Sequence, residues 1–143
     1  MKIRKAKLKD VNNLYSFIKK SKELDLSKDP KYFNKNFLEV LVKNHDIYFI
    51  IAEEDKRIIG LLGAALWKNE QISYLDMFLV DKSYRKKGIG KDLFVYYLND
   101  MIDDNVNYVW GLVKYKDKNL QDIAEKFGMK KRHLCYLYDI ELK

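Results

Sequence analysis

Cysteine, histidine, proline and glycine are all scarce in this chain of 143 residues, and each scarcity excludes something. A single cysteine, Cys135, forms no internal disulfide framework and fits a reducing, cytoplasmic compartment. Two histidines and that cysteine, far apart in sequence, do not make a zinc site, so no metal is expected. No apolar run approaches the roughly 18 residues of a membrane span. The opening Met1-Lys2-Ile3-Arg4 has no apolar stretch behind its charges and does not read as a signal peptide. Repeats, low-complexity tracts and linkers are missing too, so one domain over 1–143 is expected.

What is present is a globular balance of 48% hydrophobic and 34% charged residues. A chain of this length buries about two-thirds of its unfolded surface. The formal net charge is +7, which favours an anionic ligand or partner. Lysines are scattered over every element rather than gathered into one aromatic-interleaved stripe, which argues against a nucleic-acid partner.

Periodicity predicts the elements. Met1 to Ala6 reads as a strand. Asp10 is the expected N-cap of a helix carrying Val11, Leu14, Tyr15 and Ile18. Residues 22–29 are charged and irregular. Pro30 suits the first turn of a second helix with Phe33, Phe37 and Leu41 on one face, broken by Asn44-His45-Asp46. Ile47 to Ala52 and Arg57 to Trp67 form a hairpin about Glu54-Asp55-Lys56. Ile72 to Val80 is nearly continuous apolar sequence, a strand covered on both faces and interrupted by Asp76. A helix with Leu93, Phe94, Tyr97, Leu98 and Met101 follows, then a strand from Val106 to Val113. A last helix with Leu120, Ile123, Ala124 and Phe127 ends at Gly128. Leu134, Tyr136, Tyr138, Ile140 and Leu142 alternate strictly, which predicts a final strand. The order β-α-α-β-β-β-α-β-α-β implies a mixed α/β sheet with helices on its faces.

Chemistry concentrates between Tyr74 and Lys91. A buried strand runs into a loop holding Arg85, Lys86, Lys87, Gly88 and Gly90, where a helix begins. The first amides of a helix lack intrahelical acceptors, and the helix dipole adds partial positive charge. Glycines let backbone approach a ligand closely. Such a loop is suited to a phosphate or pyrophosphate. It is neither a P-loop, which needs Gly at 85 and Ser or Thr at 92, nor a dinucleotide fingerprint, which needs Gly at 93; the residues there are Arg85, Asp92 and Leu93. A merely solvated cluster is the plainer reading of Arg85, Lys86 and Lys87, but the Gly-Ile-Gly and long helix behind them favour anion binding.

An Arg-x-x-Gly-x-Gly loop after a buried acidic-apolar strand resembles the GNAT superfamily of acyl-CoA-dependent N-acetyltransferases. The resemblance rests on Tyr74-Leu-Asp-Met-Phe-Leu-Val80, Tyr84-Arg-Lys-Lys-Gly-Ile-Gly90 and the helix with Leu93 and Phe94. Ile3-Arg4-Lys5-Ala6, the hairpin and Glu125-Lys126-Phe127-Gly128-Met129 stand in the family's order. The resemblance implies a GNAT-like sheet of about six to seven strands flanked by about four helices. It implies acetyl-CoA as cosubstrate in a gap where the fourth and fifth strands splay. The backbone of Phe78, Leu79 and Val80 would face pantetheine. Amides from Arg85, Lys86, Lys87, Gly88, Ile89, Gly90 and Lys91 would hold the pyrophosphate. An amide near Leu79 would polarise the thioester carbonyl. The acceptor would be a primary amine of a small molecule or a protein lysine, attacking without an acyl-enzyme, so Cys135 is not needed as nucleophile.

Several residues carry two readings. Asp76 either takes the amine proton, often through water, or attracts a cationic amine or pairs with a lysine. The tyrosine that many members place four residues before the glycine of the last helix is Ala124 here; Tyr115, Tyr136, Tyr138 or solvent are the remaining proton sources. That gap supports an alternative, a non-catalytic acyl-CoA-binding module of the same fold. Leu112 and Asp117 stand where N-terminal acetyltransferases often carry Glu and Asn. Asn119 either contacts pantetheine or caps the last helix. Tyr32, Phe33 and Phe37 line an acceptor groove or, more simply, pack. His133 reads as part of a polar strand entrance, Cys135 as a packed thiol, and Trp67 and Trp110 as packing residues. The alternating tail also offers an edge for a second copy, a homodimer.

Overall fold

Two adjacent strands set the frame of the sheet. β2 (Ile47–Glu54) and β3 (Arg57–Trp67) pair antiparallel across a two-residue turn, with Asp55 at φ 48° and Lys56 at φ 62°. Two successive positive φ values match the twist that a tight hairpin needs, here without glycine. The computed structural model describes residues 1–21 and 30–142, so the charged stretch 22–29 lies outside the described residues.

β1 (Lys2–Lys5) adds antiparallel to β2, and β4 (Ile72–Val80) adds antiparallel to β3. β5 (Tyr108–Gly111) adds parallel to β4, giving the order β1-β2-β3-β4-β5. Three helices belong to the same compact unit, Met1–Leu112: α1 (Val11–Lys20), α2 (Lys35–Lys43) and α3 (Ile89–Asp103). A second unit, Val113–Lys143, contains α4 (Lys118–Lys126), which closes in a Schellman cap: the Gly128 amide donates to the Glu125 carbonyl and the Met129 amide to that of Ala124.

Helices cover both faces of the sheet in the first unit. On one, Val11, Leu14 and Ile18 of α1 and Leu38 of α2 bury against Phe49, Ile51, Leu61, Met77 and Leu79. On the other, Leu93, Phe94, Tyr97 and Met101 of α3 are buried. Tyr97 meets the Ser73 hydroxyl at 2.6 Å, and the Tyr48 hydroxyl donates to Asp100 at 2.7 Å. Burial pushes the Tyr97 hydroxyl up to about 12, so it stays a neutral partner of Ser73.

Sequence expectation and structure part at four places. Among the described residues the sheet has five strands rather than six to seven, because residues 129–142 carry no strand. Leu134, Tyr136, Tyr138, Ile140 and Leu142 alternate as predicted but stand exposed, since alternation becomes a strand only where a ladder partner takes the backbone bonds. The ladder of β5 covers only Tyr108–Gly111 of the predicted 106–113.

The second helix starts at Lys35, not near Pro30: the Asn34 side chain accepts from the Phe37 amide at 3.0 Å and is the true N-cap. Phe33 lies before the helix, buried and stacked on Tyr15 at 5.7 Å. Asp10 does not cap α1. It ends a 3-10 turn (Leu8–Asp10), accepts the Lys7 amide at 2.8 Å, and takes two hydrogen bonds from Arg4, at 2.7 and 2.9 Å. Arg4 also reaches Glu53 at 3.1 Å, tying β1 to β2 and to the start of α1.

Candidate active site

The candidate site lies where β4 parts from β5. Its ladder with β5 runs from Ile72 opposite Tyr108 to Leu75 opposite Gly111 and stops there. From Met77 to Val80, β4 keeps its pairing with β3 and, among the described residues, has no strand on its other side. Gly111, the last residue of the ladder, packs closely on β4: a Cβ there would sit 2.9 Å from the Leu75 carbonyl oxygen. The open edge begins just beyond this close approach.

Along β4 the pairing with β3 skips one residue. Gly63 faces Met77 and Ala64 faces Leu75, so Asp76 is the extra residue of a β-bulge. The bulge turns the strand over. Ser73 meets Tyr97 of α3 before it, and Phe78 meets Phe94 of α3 after it, ring centroids 6.4 Å apart. Met77 and Leu79 go to the opposite core. Asp76 itself is exposed and makes no hydrogen bond or ion pair with the described residues. Its carboxyl nonetheless lies above the ordinary carboxylate range, because neighbouring protein removes part of its water.

Past Val80 the chain makes a 3-10 turn (Lys82–Tyr84), with Asp81 accepting from the Ser83 amide at 2.8 Å. The Arg85 guanidinium folds back and donates to the Val80 carbonyl at 3.2 Å, joining the loop to the end of β4. Lys86 has φ 61° and Gly88 φ 84°, and Gly88 is the N-cap of α3. As a glycine, this N-cap has no side chain to accept from the first amides of the helix. Among the described residues, the turn and cap hydrogen bonds include none donated by the amides of Lys86 to Lys91. Six consecutive N–H groups at the head of a 15-residue helix thus have no backbone acceptor among the described residues. Lys86, Lys87 and Lys91 are exposed, and Lys87 lies 5.0 Å from the centre of the Tyr84 ring. Buried Ile89 holds the first turn against the sheet.

Phe78, Leu79, Val80 and the residues from Arg85 to Lys91 are thereby brought into one continuous strand-loop-helix, with Asp76 two residues upstream. Asn119 belongs to the second unit and does not cap α4: Asp117 does, accepting from the Leu120 amide at 3.0 Å. Ala124 is buried in that unit, while Tyr115, Tyr136 and Tyr138 are exposed. Cys135 is exposed, not a packed thiol, for the same reason that the tail forms no strand.

Trp67 and Trp110 pack on each other and on Tyr74, a stack over three strands in which both tryptophans stay partly exposed. Only strand register brings these three together, and their spacing in the sequence carries no sign of it.

A family model described as the acetyltransferase (GNAT) family matches residues 8–129. No curated protein matches the chain. Solved structures share its fold at low identity. An aminoglycoside acetyltransferase from an uncultured soil metagenomic sample, in complex with sisomicin, is 16% identical with a TM-score of 0.77, over 98% of this chain and 96% of its own. A PaiA N-acetyltransferase from Thermoplasma acidophilum in complex with coenzyme A is 20% identical with a TM-score of 0.77, over 90% and 89%. A transcriptional regulator from Bacillus halodurans is 13% identical with a TM-score of 0.79, over 97% and 99%. No helix among the described residues is long and apolar enough to cross a membrane.

Proposed function

The chain belongs to the acetyltransferase (GNAT) family, and from that premise we propose that it moves an acetyl group from acetyl-CoA directly onto a primary amine of a small molecule or a protein lysine. The observation that carries this reading is the row of unengaged amides from Lys86 to Lys91, set at a left-handed Gly88 beside the open edge of β4.

The residues present fit coenzyme A. A pyrophosphate needs several converging N–H donors and positive potential, and the amides, the α3 dipole and Lys86, Lys87 and Lys91 provide both. A pantetheine arm carries amides of its own, and the backbone of Phe78, Leu79 and Val80 has an unpaired edge to meet them. An amide near Leu79 is the donor for the thioester oxygen. The bound cosubstrate supplies an activated acyl carbon; this chain positions it and manages one proton. A primary amine is protonated at neutral pH and must lose that proton before it attacks. Asp76 suits the task, being accessible, unpaired and raised in pKa toward the working range. Asn119 remains a candidate contact of the pantetheine.

Isothermal titration with acetyl-CoA, followed by thiol release over a panel of amines, tests the reading. Micromolar binding that is lost in Gly90→Glu, with turnover of at least one amine, is expected. A chain that binds no coenzyme A at all would remove the proposal. Tight binding with no turnover would favour the acyl-CoA-binding module, whose support is Ala124 in the place of the tyrosine.

A further inference from the structure

Next to the open edge of β4 lies an aromatic surface that nothing above explains. Tyr74 and Trp110 are register partners on β4 and β5, and their rings meet at 4.4 Å between centroids. Trp67, at the end of β3, stacks on Tyr74 at 6.4 Å and on Trp110 at 6.3 Å, within 21° and 14° of parallel. Since Ser73 faces α3, Tyr74 and its two partners lie on the opposite face of the sheet. Trp67 is 44% exposed and Trp110 39%, values at odds with rings that serve the core alone.

Asp76 is the bulge residue two positions beyond Tyr74 on the same strand. Burial, and then the negative charge of Asp76, holds the Tyr74 hydroxyl above its ordinary pKa. Stacked electron-rich faces and a carboxylate with no ion pair among the described residues attract the same kind of ligand, a cation. Among the described residues, no side chain of the protein fills that role. Lysine ammonium groups sit over Tyr15, Tyr32, Tyr48, Tyr84 and Tyr115, and among the described residues none sits over Trp67, Tyr74 or Trp110. In so basic a chain, a π surface with no lysine over it among the described residues is open to an external cation.

We propose that Trp67, Tyr74, Trp110 and Asp76 form a recognition platform for an organic ammonium ion, and that the acceptor is a cationic amine with an apolar flank. The rings take the flank and the charge, and Asp76 takes the ammonium hydrogens. What the bound ammonium is used for rests on the transfer reading above; whether it binds does not.

The test exploits composition. The chain has two tryptophans, Trp67 and Trp110, so intrinsic tryptophan emission reports on this surface and nowhere else. Choline cannot be N-acylated and has an uncharged isostere, 3,3-dimethylbutan-1-ol. In the full chain without acetyl-CoA, choline is expected to change the emission saturably, and the isostere to bind on the order of tenfold more weakly. Trp110→Leu, read through Trp67, and Asp76→Asn are each expected to weaken choline several-fold, while Trp110→Phe, which keeps a π face, retains most of the affinity. Circular dichroism melts establish that each variant is folded. In turnover, Trp110→Leu should raise the KM of the amine and leave the acetyl-CoA affinity unmoved.

Equal responses to choline and its isostere would reduce the surface to an apolar patch and overturn the proposal. So would a Trp110→Leu variant that is folded and binds choline unchanged. Emission that shifts on dilution together with a halved mass would mean that a second copy covers the rings, and would overturn it as well. Loss of coenzyme A binding with choline binding intact would instead defeat the transfer reading and leave the platform standing.

Discussion

Ser73 and Phe78 both point at helix α3, Ser73 onto Tyr97 and Phe78 onto Phe94, although an odd number of steps separates them along one strand. In a regular strand an odd separation places two side chains on opposite faces. The bulge at Asp76 supplies the missing step. It gives the strand two cores to fill, α3 through Ser73 and Phe78, α1 and α2 through Met77 and Leu79, and it leaves Asp76 in the open at the crossover.

Asp76→Asn should lower kcat by about 10²–10⁴ with acetyl-CoA affinity unchanged, and should abolish the acidic limb of the pH–rate profile. Stability should move the other way. The folded pKa lies above the ordinary value, so folding binds the proton more tightly than the unfolded chain does. Wild-type stability therefore falls as pH rises from the unfolded pKa through the folded one. Melts should show Asp76→Asn matching wild type at low pH and gaining on it as pH rises to neutrality. A constant difference at every pH would contradict the assignment.

Gly88→Ala forces a Cβ into the left-handed region at φ 84°, at about 1–2 kcal/mol, although the space around it is empty. Gly88→Asn, which tolerates that region, should recover much of the loss. Titration should show weaker coenzyme A binding for Ala than for Asn, in the same order as their denaturation midpoints.

Gly111→Ala meets the Leu75 carbonyl oxygen and Leu75 Cβ at 2.9 and 3.1 Å. The strands must part at the root of the open edge, at a cost of about 1–3 kcal/mol. Faster hydrogen exchange at the β4–β5 ladder, with the β2–β3 hairpin unaffected, is the expected signature.

Asp10→Asn removes the charge that Arg4 grips, with a loss on the order of 2 kcal/mol at neutral pH. The Arg4 hydrogen bonds, and then the Lys7 amide, hold the Asp10 carboxyl below its usual range. Its contribution is present above the unfolded carboxylate pKa and is lost as pH falls through the lower, folded one. Acid melts of wild type and variant should converge at the acid end.

Ser73 and Tyr97 form a buried pair at 2.6 Å. Ser73→Ala or Tyr97→Phe alone strands the other hydroxyl, at about 1–3 kcal/mol, whereas the double variant should lose less than the two singles together. Additive losses in a double-mutant cycle would deny the coupling.

The amide-rich loop was legible in the chain because its determinants are local. Gly88 sits where φ must be positive, Ile89 and Leu93 begin the buried stripe of α3, and the cations stand within the same few residues. The hairpin was legible for a like reason: its apolar runs flank a short polar turn. Asp10 and Pro30 misled because a capping residue is defined by the hydrogen bond it makes. Arg4 claims Asp10 and Asn34 caps α2, and neither choice is written in residue type alone.

Near-neighbour spacing along the chain was enough to specify the strand-loop-helix from Ile72 to Asp103 and the alternation of the elements around it, since it sets helix, turn and strand. Tertiary structure decided the bulge, the aromatic platform and the fate of the tail. Both faces of β4 are apolar, so no polar alternation along Ile72–Val80 records that the strand turns over at Asp76. Trp67, Tyr74 and Trp110 become neighbours through register across three strands. The tail of alternating residues is exposed because a strand is a relation between two chain segments, and a pattern along one of them does not supply the other.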